Sequence, residues 1–413
     1  MDTTERLYYS DSHLVEFEAR VLSVGEAAEG RAAVTLDRTA FYPTGGGQPT
    51  DTGLLGAARV VECVDGGGGV LHFVEGEAPA AGERVVGRVD WPRRLDHMQQ
   101  HTGQHILSQA FVELYGAQTR SFRMTEDACE VDVDLKDPSD EKVERAVDRA
   151  DRVVWEDRPV RVHLVTPEEA ARLPLRKDSE REGSLRVVEI EGFDFSPCGG
   201  THARSTGEVG VIVARQWERA KGLVRVTFAA GGRAVEDYRR ANRAARAVGS
   251  LFSVAREEGA EAAARLQEEN RQLLRRLRAA EEAAARGEAR ELIEEAARVP
   301  GGAPDERAAR EGGGVAVVAR VFEGRDAESL RRLAQSLAAY PRTVALLGSA
   351  EGGAARLVFA RSADAPGDMS ALMREACRTL EGRGGGRPDM AQGGGQRGER
   401  LAEALAAAAA GVR

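Results

Sequence analysis

Cysteine is scarce in this sequence, and the few cysteines lie far apart. The 413 residues include only Cys63, Cys129, Cys198 and Cys377, with no paired spacing. A disulfide framework requires cysteines in matched pairs, so this distribution favours a reducing compartment. A cysteine that binds a metal would be kept there as the free thiol that such binding needs.

Long apolar runs are also missing. No window approaches about 18 uninterrupted apolar residues, the length that a membrane-spanning helix requires, and the first six residues are polar and acidic. With 42% apolar and 30% charged residues, the chain has the composition of a soluble globular protein of about two to four domains. We therefore predict a cytoplasmic protein without a membrane segment or signal peptide.

The chain has no excess of positive charge. Its formal net charge of -9 at pH 7 argues mildly against nucleic-acid binding, because phosphates need positive partners. Net charge averages over the whole surface, however, and local basic stretches occur at 93–94, 271–278 and 383–400. Such local stretches are sufficient for RNA contact, so an RNA-binding function stays open.

Histidine is scarce too, yet two of the seven lie close together, at His101 and His105. Residues four apart share one face of a helix, so these imidazoles would point at the same place. A helix is indicated independently, because Asp90 can cap it, Pro92 suits its first turn, and apolar residues follow at helical spacing. His97, one turn earlier, is interpreted as a packing or supporting residue, because the helix rotates it away from the shared face.

A second motif, Cys198-Gly-Gly-Thr-His202, has the opposite character. Pro197 and the two glycines favour a tight loop that can bring Cys198 and His202 to one point. Taken alone, each motif is more commonly a pair of unrelated side chains. Together they supply imidazole nitrogens and one thiolate, the donors that Zn²⁺ accepts in tetrahedral geometry. We predict one zinc site with ligands His101, His105, Cys198 and His202.

These motifs resemble a known family. H-T-G-Q-H at 101–105, C-G-G-T-H at 198–202 and the earlier F-Y-P-T-G-G-G-Q-P-T-D-T-G at 41–53 are similar to the editing domain of alanyl-tRNA synthetases, and more closely to the AlaX trans-editing proteins. The stretch G-G-G-R-P-D-M-A-Q-G-G-G at 384–395 resembles the signature of the DHHA1-type domain that ends these synthetases and also occurs in DHH-type phosphoesterases. The motifs keep the family's order, and the resemblance covers essentially the whole chain.

The resemblance implies a long-form AlaX protein that deacylates mischarged tRNA(Ala), chiefly the seryl ester, with the glycyl ester as a second candidate. Zinc would lower the pKa of water and polarise the ester carbonyl. Four protein ligands, however, would close a tetrahedral site, whereas catalytic zinc usually keeps one position open. One ligand would then be displaced on substrate binding, or zinc would anchor the substrate's amino group; the sequence leaves both open.

A substrate wall is predicted around the glycine stretch, where the backbone can approach a ligand and polar neighbours can hydrogen-bond to it. The predicted substrate-binding residues are Thr44, Gly45, Gly46, Gly47, Gln48, Asp51, Thr119 and Ser121. Thr44 is the first candidate to recognise the serine hydroxyl, Gln48 the second, and Thr119 or Ser121 the third. For contact with RNA, the resemblance and the basic glycine-rich stretch indicate Arg383, Arg387 and Gln392.

The fold class expected is α+β multidomain. The predicted domains are a small β-barrel at 1–90, a zinc-binding α+β editing domain at 91–245, a helical coiled-coil linker at 246–299, and a small α/β RNA-contacting domain at 300–413. The linker carries Leu266, Leu273 and Leu277 near coiled-coil spacing, with a turn expected near Gly287. Glycine-rich segments at 300–302 and 312–314 mark a further linker.

We expect no aminoacylation activity and no ATP requirement, because the chain opens directly on the predicted barrel. The partner expected is tRNA(Ala) charged with the wrong amino acid, and the helical or C-terminal region could support a homodimer. Two alternatives stay open: a zinc-dependent hydrolase of another ester, and a non-catalytic tRNA-binding module.

Overall fold

The computed structural model describes residues 4–26, 31–176, 184–296 and 314–412. The chain divides into two compact units, one ending at Glu257 and the other beginning at Glu258. Within the described residues, none of the helices combines the length and apolarity needed to cross a bilayer.

The first unit begins with a closed six-stranded barrel, as the alternating strands of the sequence predict. Its core is formed by inward-facing residues such as Phe17, Val34 and Val60. The short strand Gly53–Leu55 was not predicted, because its three residues are too few to show alternation. The strands of this region are β1 (Glu5–Arg6), β2 (Glu16–Glu26), β3 (Ala32–Leu36), β4 (Arg38–Thr39), β5 (Gly53–Leu55), β6 (Ala58–Asp65), β7 (Val70–Glu75) and β8 (Arg84–Val89). The barrel closes in the order β2-β3-β7-β6-β5-β8, while β1 and β4 pair separately.

Helix α1 (Trp91–Tyr115) leads out of the barrel, and it confirms the predicted helix. The Asp90 carboxylate caps its first turn by accepting from the Arg93 amide, and Gly116 ends it in the left-handed conformation, with φ 65°. Helix α1 is anchored to the barrel by a buried ion pair between Arg94 and Asp51. Because Arg94 is fully buried, the expectation that positions 93–94 form an RNA track is wrong for Arg94.

The rest of the first unit is an α+β layer around α1. Its strands and helices are β9 (Thr119–Met124), β10 (Cys129–Val133), α2 (Asp140–Trp155), β11 (Val160–Val165), α3 (Pro167–Ala170), β12 (Leu185–Ile190), β13 (Asp194–Pro197), β14 (Ile212–Ala220), β15 (Leu223–Ala230) and α4 (Gly231–Leu251). An antiparallel sheet has the order β14-β15-β10-β9, and a second one the order β11-β12-β13. Thr206–Val209 form a 3-10 turn, and Gly210 follows it with φ 70°.

Helix α5 (Gly259–Ala296) opens the second unit. The turn predicted near Gly287 is wrong, since Gly287 lies inside α5. Leu266, Leu273 and Leu277 are 54%, 61% and 54% exposed, so coiled-coil pairing by these leucines stays a prediction. Of the glycine-rich linker predicted at 300–302 and 312–314, all but Gly314 lies outside the described residues.

The second unit confirms the predicted small α/β domain. Its elements are β16 (Ala316–Glu323), α6 (Ala327–Ala338), β17 (Thr343–Glu351), β18 (Ala354–Arg361), α7 (Met369–Thr379), β19 (Arg383–Gly386), β20 (Met390–Gly395) and α8 (Leu401–Ala410). The sheet has the order β16-β17-β18-β20-β19, in which only β16 and β17 pair in parallel. The glycine-rich stretch at 384–395 forms the β19–β20 hairpin. Its glycines allow the hairpin to lie directly against α7.

Candidate metal centre

The structure brings the four predicted ligands together. The ligand atoms of His101, His105, Cys198 and His202 all lie within 4.8 Å of one another. The Cys198 Sγ lies 3.4 Å from His101 Nε2 and 3.2 Å from His202 Nε2. The two segments, about a hundred residues apart in the chain, therefore form one cluster, and all three histidines in it are buried.

Each imidazole of the cluster has its Nδ1 atom occupied by a partner from outside the cluster. Such a partner fixes the tautomer and the ring orientation, and it leaves Nε2 free to bind a metal. The Nδ1 contacts are His101 with Gln48 Oε1 at 2.8 Å, His105 with Asp194 Oδ2 at 3.3 Å, and His202 with Thr102 Oγ1 at 3.1 Å. The cluster thus has the supporting layer that metal-binding histidines usually have.

The electrostatics of the cluster favour a thiolate at Cys198. Burial alone would raise the pKa of Cys198, but the His101 and His202 rings and hydrogen bonds from the neighbouring histidines lower it well below its ordinary value. Burial lowers the pKa of His202 to about 3, which keeps that ring neutral. The Gly200 amide also points at the Cys198 Sγ, at 3.4 Å.

Asp194 gives the cluster one charged support. Burial alone would raise its pKa, but the Arg176 guanidinium and the hydrogen bond to His105 outweigh burial and lower it. The Arg176 Nε donates to Asp194 Oδ1 at 2.9 Å. Three imidazole nitrogens and one thiolate, each fixed from behind, are a donor set that fits Zn²⁺.

The glycine stretch lies beside this cluster. Gly46 and Gly47 have φ of 57° and 84°, and the chain folds into a tight turn closed between Gly45 and Gln48. Gly47 lies against β9, where a Cβ would be 2.7 Å from the Phe122 carbonyl oxygen. The Phe122 ring in turn stacks on His101, with a centroid distance of 5.5 Å. Thr44, at the start of this turn, is exposed.

Two residues predicted to bind substrate have other partners. The Gln48 Oε1 contacts His101 Nδ1 and the Thr201 amide, and its Nε2 donates to Thr201 Oγ1. Gln48 therefore orients a ligand, and it is a poor second candidate for a serine hydroxyl. Asp51 is fully buried and paired with Arg94, so its role as a substrate-wall residue stays a prediction that these contacts do not favour.

The residues predicted on β9 also have other hydrogen-bond partners. The Thr119 hydroxyl donates to Ser108 Oγ at 2.7 Å, and the exposed Ser121 hydroxyl donates to Asp132 Oδ2 at 2.6 Å. Adjacent residues of a strand face opposite sides, and Phe122 is the one that reaches His101. The prediction that Ser121 faces the substrate is therefore not supported by this arrangement.

Sequence reasoning missed most of the supporting layer. Asp194 and Phe122 carry no local signal, because both meet α1 only through the tertiary fold. Thr102 lies inside the H-T-G-Q-H motif, which was a signal that could have been used. His97 is outside the cluster, as predicted: it is buried, burial lowers its pKa to about 4, and its Nδ1 has no hydrogen-bond partner in the described part of the chain.

The three residues predicted to contact RNA lie in the second unit. Arg383, Arg387 and Gln392 are all exposed on the β19–β20 hairpin at the edge of the sheet. The Arg387 side chain is 77% exposed and contacts only the neighbouring Asp389, at 3.3 Å, among the ion pairs of the described residues.

Comparison with known proteins finds similarity to domains of aminoacyl-tRNA synthetases and to an editing protein. Residues 185–227 match the family described as threonyl and alanyl tRNA synthetase second additional domain, residues 313–413 match the DHHA1 domain, and residues 1–93 match tRNA synthetases class II (A). The chain is similar to the alanyl-tRNA editing protein AlaX-L, and its C-terminal part matches the DHHA1 domain.

The alignments cover only part of the individual relatives. The alanyl-tRNA editing protein AlaX-L of Pyrococcus horikoshii is 39% identical over 241 residues, which cover 56% of this chain and 59% of that protein. An alanine–tRNA ligase of Methanothrix thermoacetophila is 34% identical over 95% of this chain and 43% of the ligase. The chain thus spans less than two thirds of the length of these relatives. The solved C-Ala domain of Aquifex aeolicus alanyl-tRNA synthetase is 29% identical, with a TM-score of 0.23, and covers 24% of this chain and 96% of that domain.

Proposed function

We propose that this chain is a cytoplasmic deacylase that hydrolyses the ester of mischarged tRNA(Ala), chiefly Ser-tRNA(Ala), with Gly-tRNA(Ala) as a second substrate. The observation that supports this most strongly is the convergence of His101, His105, Cys198 and His202 in a chain that is similar to an alanyl-tRNA editing protein. Hydrolysis of an ester needs no ATP, and we expect none to be required.

The four side chains would hold Zn²⁺ through three Nε2 atoms and the Cys198 sulfur. Bound zinc supplies Lewis acidity, which polarises a carbonyl and makes water a better nucleophile. The chain's own contribution is to fix the donors, through Gln48, Asp194 and Thr102, and to present the glycine stretch beside them. Since four donors fill a tetrahedral shell, direct chemistry at the metal would require one ligand to dissociate. Cys198, which is followed by two glycines, is the candidate.

Discrimination for serine needs a group that binds its hydroxyl. Thr44 remains our candidate, because it is exposed at the start of the turn that ends at Gln48, and no hydrogen bond engages its hydroxyl within the described residues. A pocket built to bind a hydroxyl rejects a substrate without one, since its polar group would be left unpaired.

We also propose that the exposed hairpin residues Arg383, Arg387 and Gln392 contact the tRNA backbone, and that the exposed leucines of α5 pair with a second copy. Basic side chains on a rigid sheet edge provide phosphate contacts independent of base sequence. The leucine spacing is typical of a coiled-coil seam.

The experiment is a deacylation assay with seryl, glycyl and alanyl esters of tRNA(Ala), with and without a metal chelator, using the full chain and Cys198→Ala. We expect hydrolysis of the seryl ester first, little hydrolysis of the alanyl ester, and loss of activity with chelator. Binding of tRNA(Ala) without hydrolysis would instead identify a non-catalytic module. Full activity of Cys198→Ala with retained zinc would exclude a direct role for the thiolate.

A further inference from the structure

Arg186 lies directly across from Cys198 at the end of the three-stranded sheet. The Cys198 amide donates to the Arg186 carbonyl oxygen at 3.1 Å. The Arg186 side chain then reaches back, and its Nη1 donates to the Cys198 carbonyl oxygen at 2.6 Å. The same residue therefore holds Cys198 by its N–H and its C=O.

The other side of the Arg186 guanidinium holds the N-terminal segment. Its Nε donates to the Tyr9 carbonyl oxygen at 3.3 Å, and its Cζ lies 5.3 Å from the centre of the Tyr9 ring. The fork shape of a guanidinium allows both carbonyls to be bound at once, which the single ammonium of a lysine does less well. Arg186 thus fixes the metal-ligand loop to a separate part of the first unit.

Arg186 is a buried charged side chain for which no counter-ion is found among the described residues. Arg186 is only 7% exposed, and its Nη2 is buried without a hydrogen-bond partner among the residues that the structure describes. Arg94 and Arg176, which are also buried or nearly so, are each paired with an aspartate, whereas no ion pair of Arg186 is found in the described ranges. A buried cation without a counter-ion destabilises a fold. The position of Arg186 beside Cys198 therefore indicates that its guanidinium has a role at the metal centre.

We propose that Arg186 is a positioning residue of the metal centre: it sets the place of the Cys198 sulfur in the cluster, and the metal-bound thiolate is the negative charge that its guanidinium faces. This inference rests on the proposed metal binding. An RNA phosphate is the less favoured counter-ion, because the unpartnered Nη2 is covered by protein. Partners behind a metal ligand typically change metal affinity about 10- to 100-fold.

The test compares Co²⁺ binding by the full chain, Arg186→Met and Arg186→Lys. The control is Arg161→Met, on the same sheet but with a side chain that is 47% exposed and paired with Glu191. Affinity is measured by chelator competition, and the sulfur-to-cobalt absorption band reports the thiolate directly. We expect Arg186→Met to bind Co²⁺ about 10- to 100-fold more weakly, with a weaker sulfur band, and Arg161→Met to match the wild type.

Arg186→Lys keeps the charge but cannot hold both carbonyls, so we expect an affinity between those of the wild type and Arg186→Met. It also serves as the test if circular dichroism shows that Arg186→Met does not fold. Wild-type affinity and an unchanged sulfur band in the folded variants would overturn the positioning role. Failure of the wild-type chain itself to bind Co²⁺ would instead count against the metal site of the proposed function, and it would withdraw the basis for this inference.

Discussion

The backbone of Gly200 lies against the imidazole of His101. A Cβ at position 200 would collide with the His101 ring and would also lie 2.9 Å from the Gln48 Oε1. At position 199, by contrast, a Cβ would meet only the Tyr9 hydroxyl, at 3.9 Å. The two glycines of one motif therefore have different reasons to be glycine, and the second is needed for the geometry of the cluster.

We predict that Gly200→Ala displaces His101 and strongly reduces zinc content, while Gly199→Ala retains the metal. A collision with a ring that is itself fixed by Gln48 cannot be relieved by a simple rotation, and overpacking of this kind costs about 1–3 kcal/mol. Zinc content after dialysis, measured beside the melting temperature of each variant, checks this. Equal zinc in the two variants would show that the loop can move away from His101.

For Thr44→Val, we predict slower hydrolysis of Ser-tRNA(Ala) with unchanged zinc content. The substitution removes a hydroxyl of nearly the same shape, so the loss should correspond to about one hydrogen bond, or roughly tenfold in rate. Thr44→Ser keeps the hydroxyl and should keep most of the activity. The measurement is kcat/KM on the seryl and glycyl esters, and an equal loss on both would assign Thr44 to general positioning instead of recognition of the hydroxyl.

The sequence was sufficient for those parts of the site that depend on local geometry. Helix α1 and the shared face of His101 and His105 follow from a cap, a period and a spacing of four. Gln48 and Asp194 could not be assigned in the same way, because they meet the histidines across 53 and 89 residues of chain. The fold, and not the local spacing, determines that these two residues support His101 and His105.

The glycine-rich hairpin is a part of the fold that could not be predicted from its sequence. Strand prediction uses alternating side chains, and the β19–β20 hairpin has very few, so its sequence is typical of a loop. The hairpin packs directly against α7, and Cys377 of that helix occupies the space where side chains of the hairpin would lie. Such a strand can be identified only once its neighbour is known.

A dependence of stability on pH is predicted from His72 in the barrel core. His72 is fully buried, with Nδ1 on the Val34 carbonyl oxygen and Nε2 on the Thr39 hydroxyl, and burial lowers its pKa from 6.5 to about 4. Protons then bind the unfolded chain more readily than the folded one. Neutral, buried His72 therefore contributes about 3 kcal/mol to the free energy of unfolding. This contribution is present in full above pH 6.5 and is lost as the pH falls towards 4.

His72→Gln removes this titration, so its stability should fall less steeply than that of the wild type between pH 6.5 and 4. Urea unfolding of the metal-free protein can be followed by tryptophan fluorescence, because Trp91, Trp155 and Trp217 are all in the first unit. Parallel stability curves for the two proteins would show that His72 does not control the acid response.

In the second unit, substitutions at Gly393 and Gly385 distinguish a packing role of the glycines from a role in RNA contact. A Cβ on Gly393 would lie 2.5 Å from the Cys377 Sγ and 2.8 Å from the Met373 Sδ, whereas a Cβ on Gly385 would meet nothing within 4 Å. We predict that Gly393→Ala destabilises the second unit by about 1–3 kcal/mol, and that Gly385→Ala does not. Hydrogen–deuterium exchange of residues 369–395 measures the difference directly, because α7 and the hairpin should open together. If Gly385→Ala instead weakened tRNA binding at unchanged stability, the glycines would contact the RNA directly. If only Gly393→Ala had an effect, the glycines would serve packing, and the packed hairpin would hold Arg387 and Gln392 in place for the RNA.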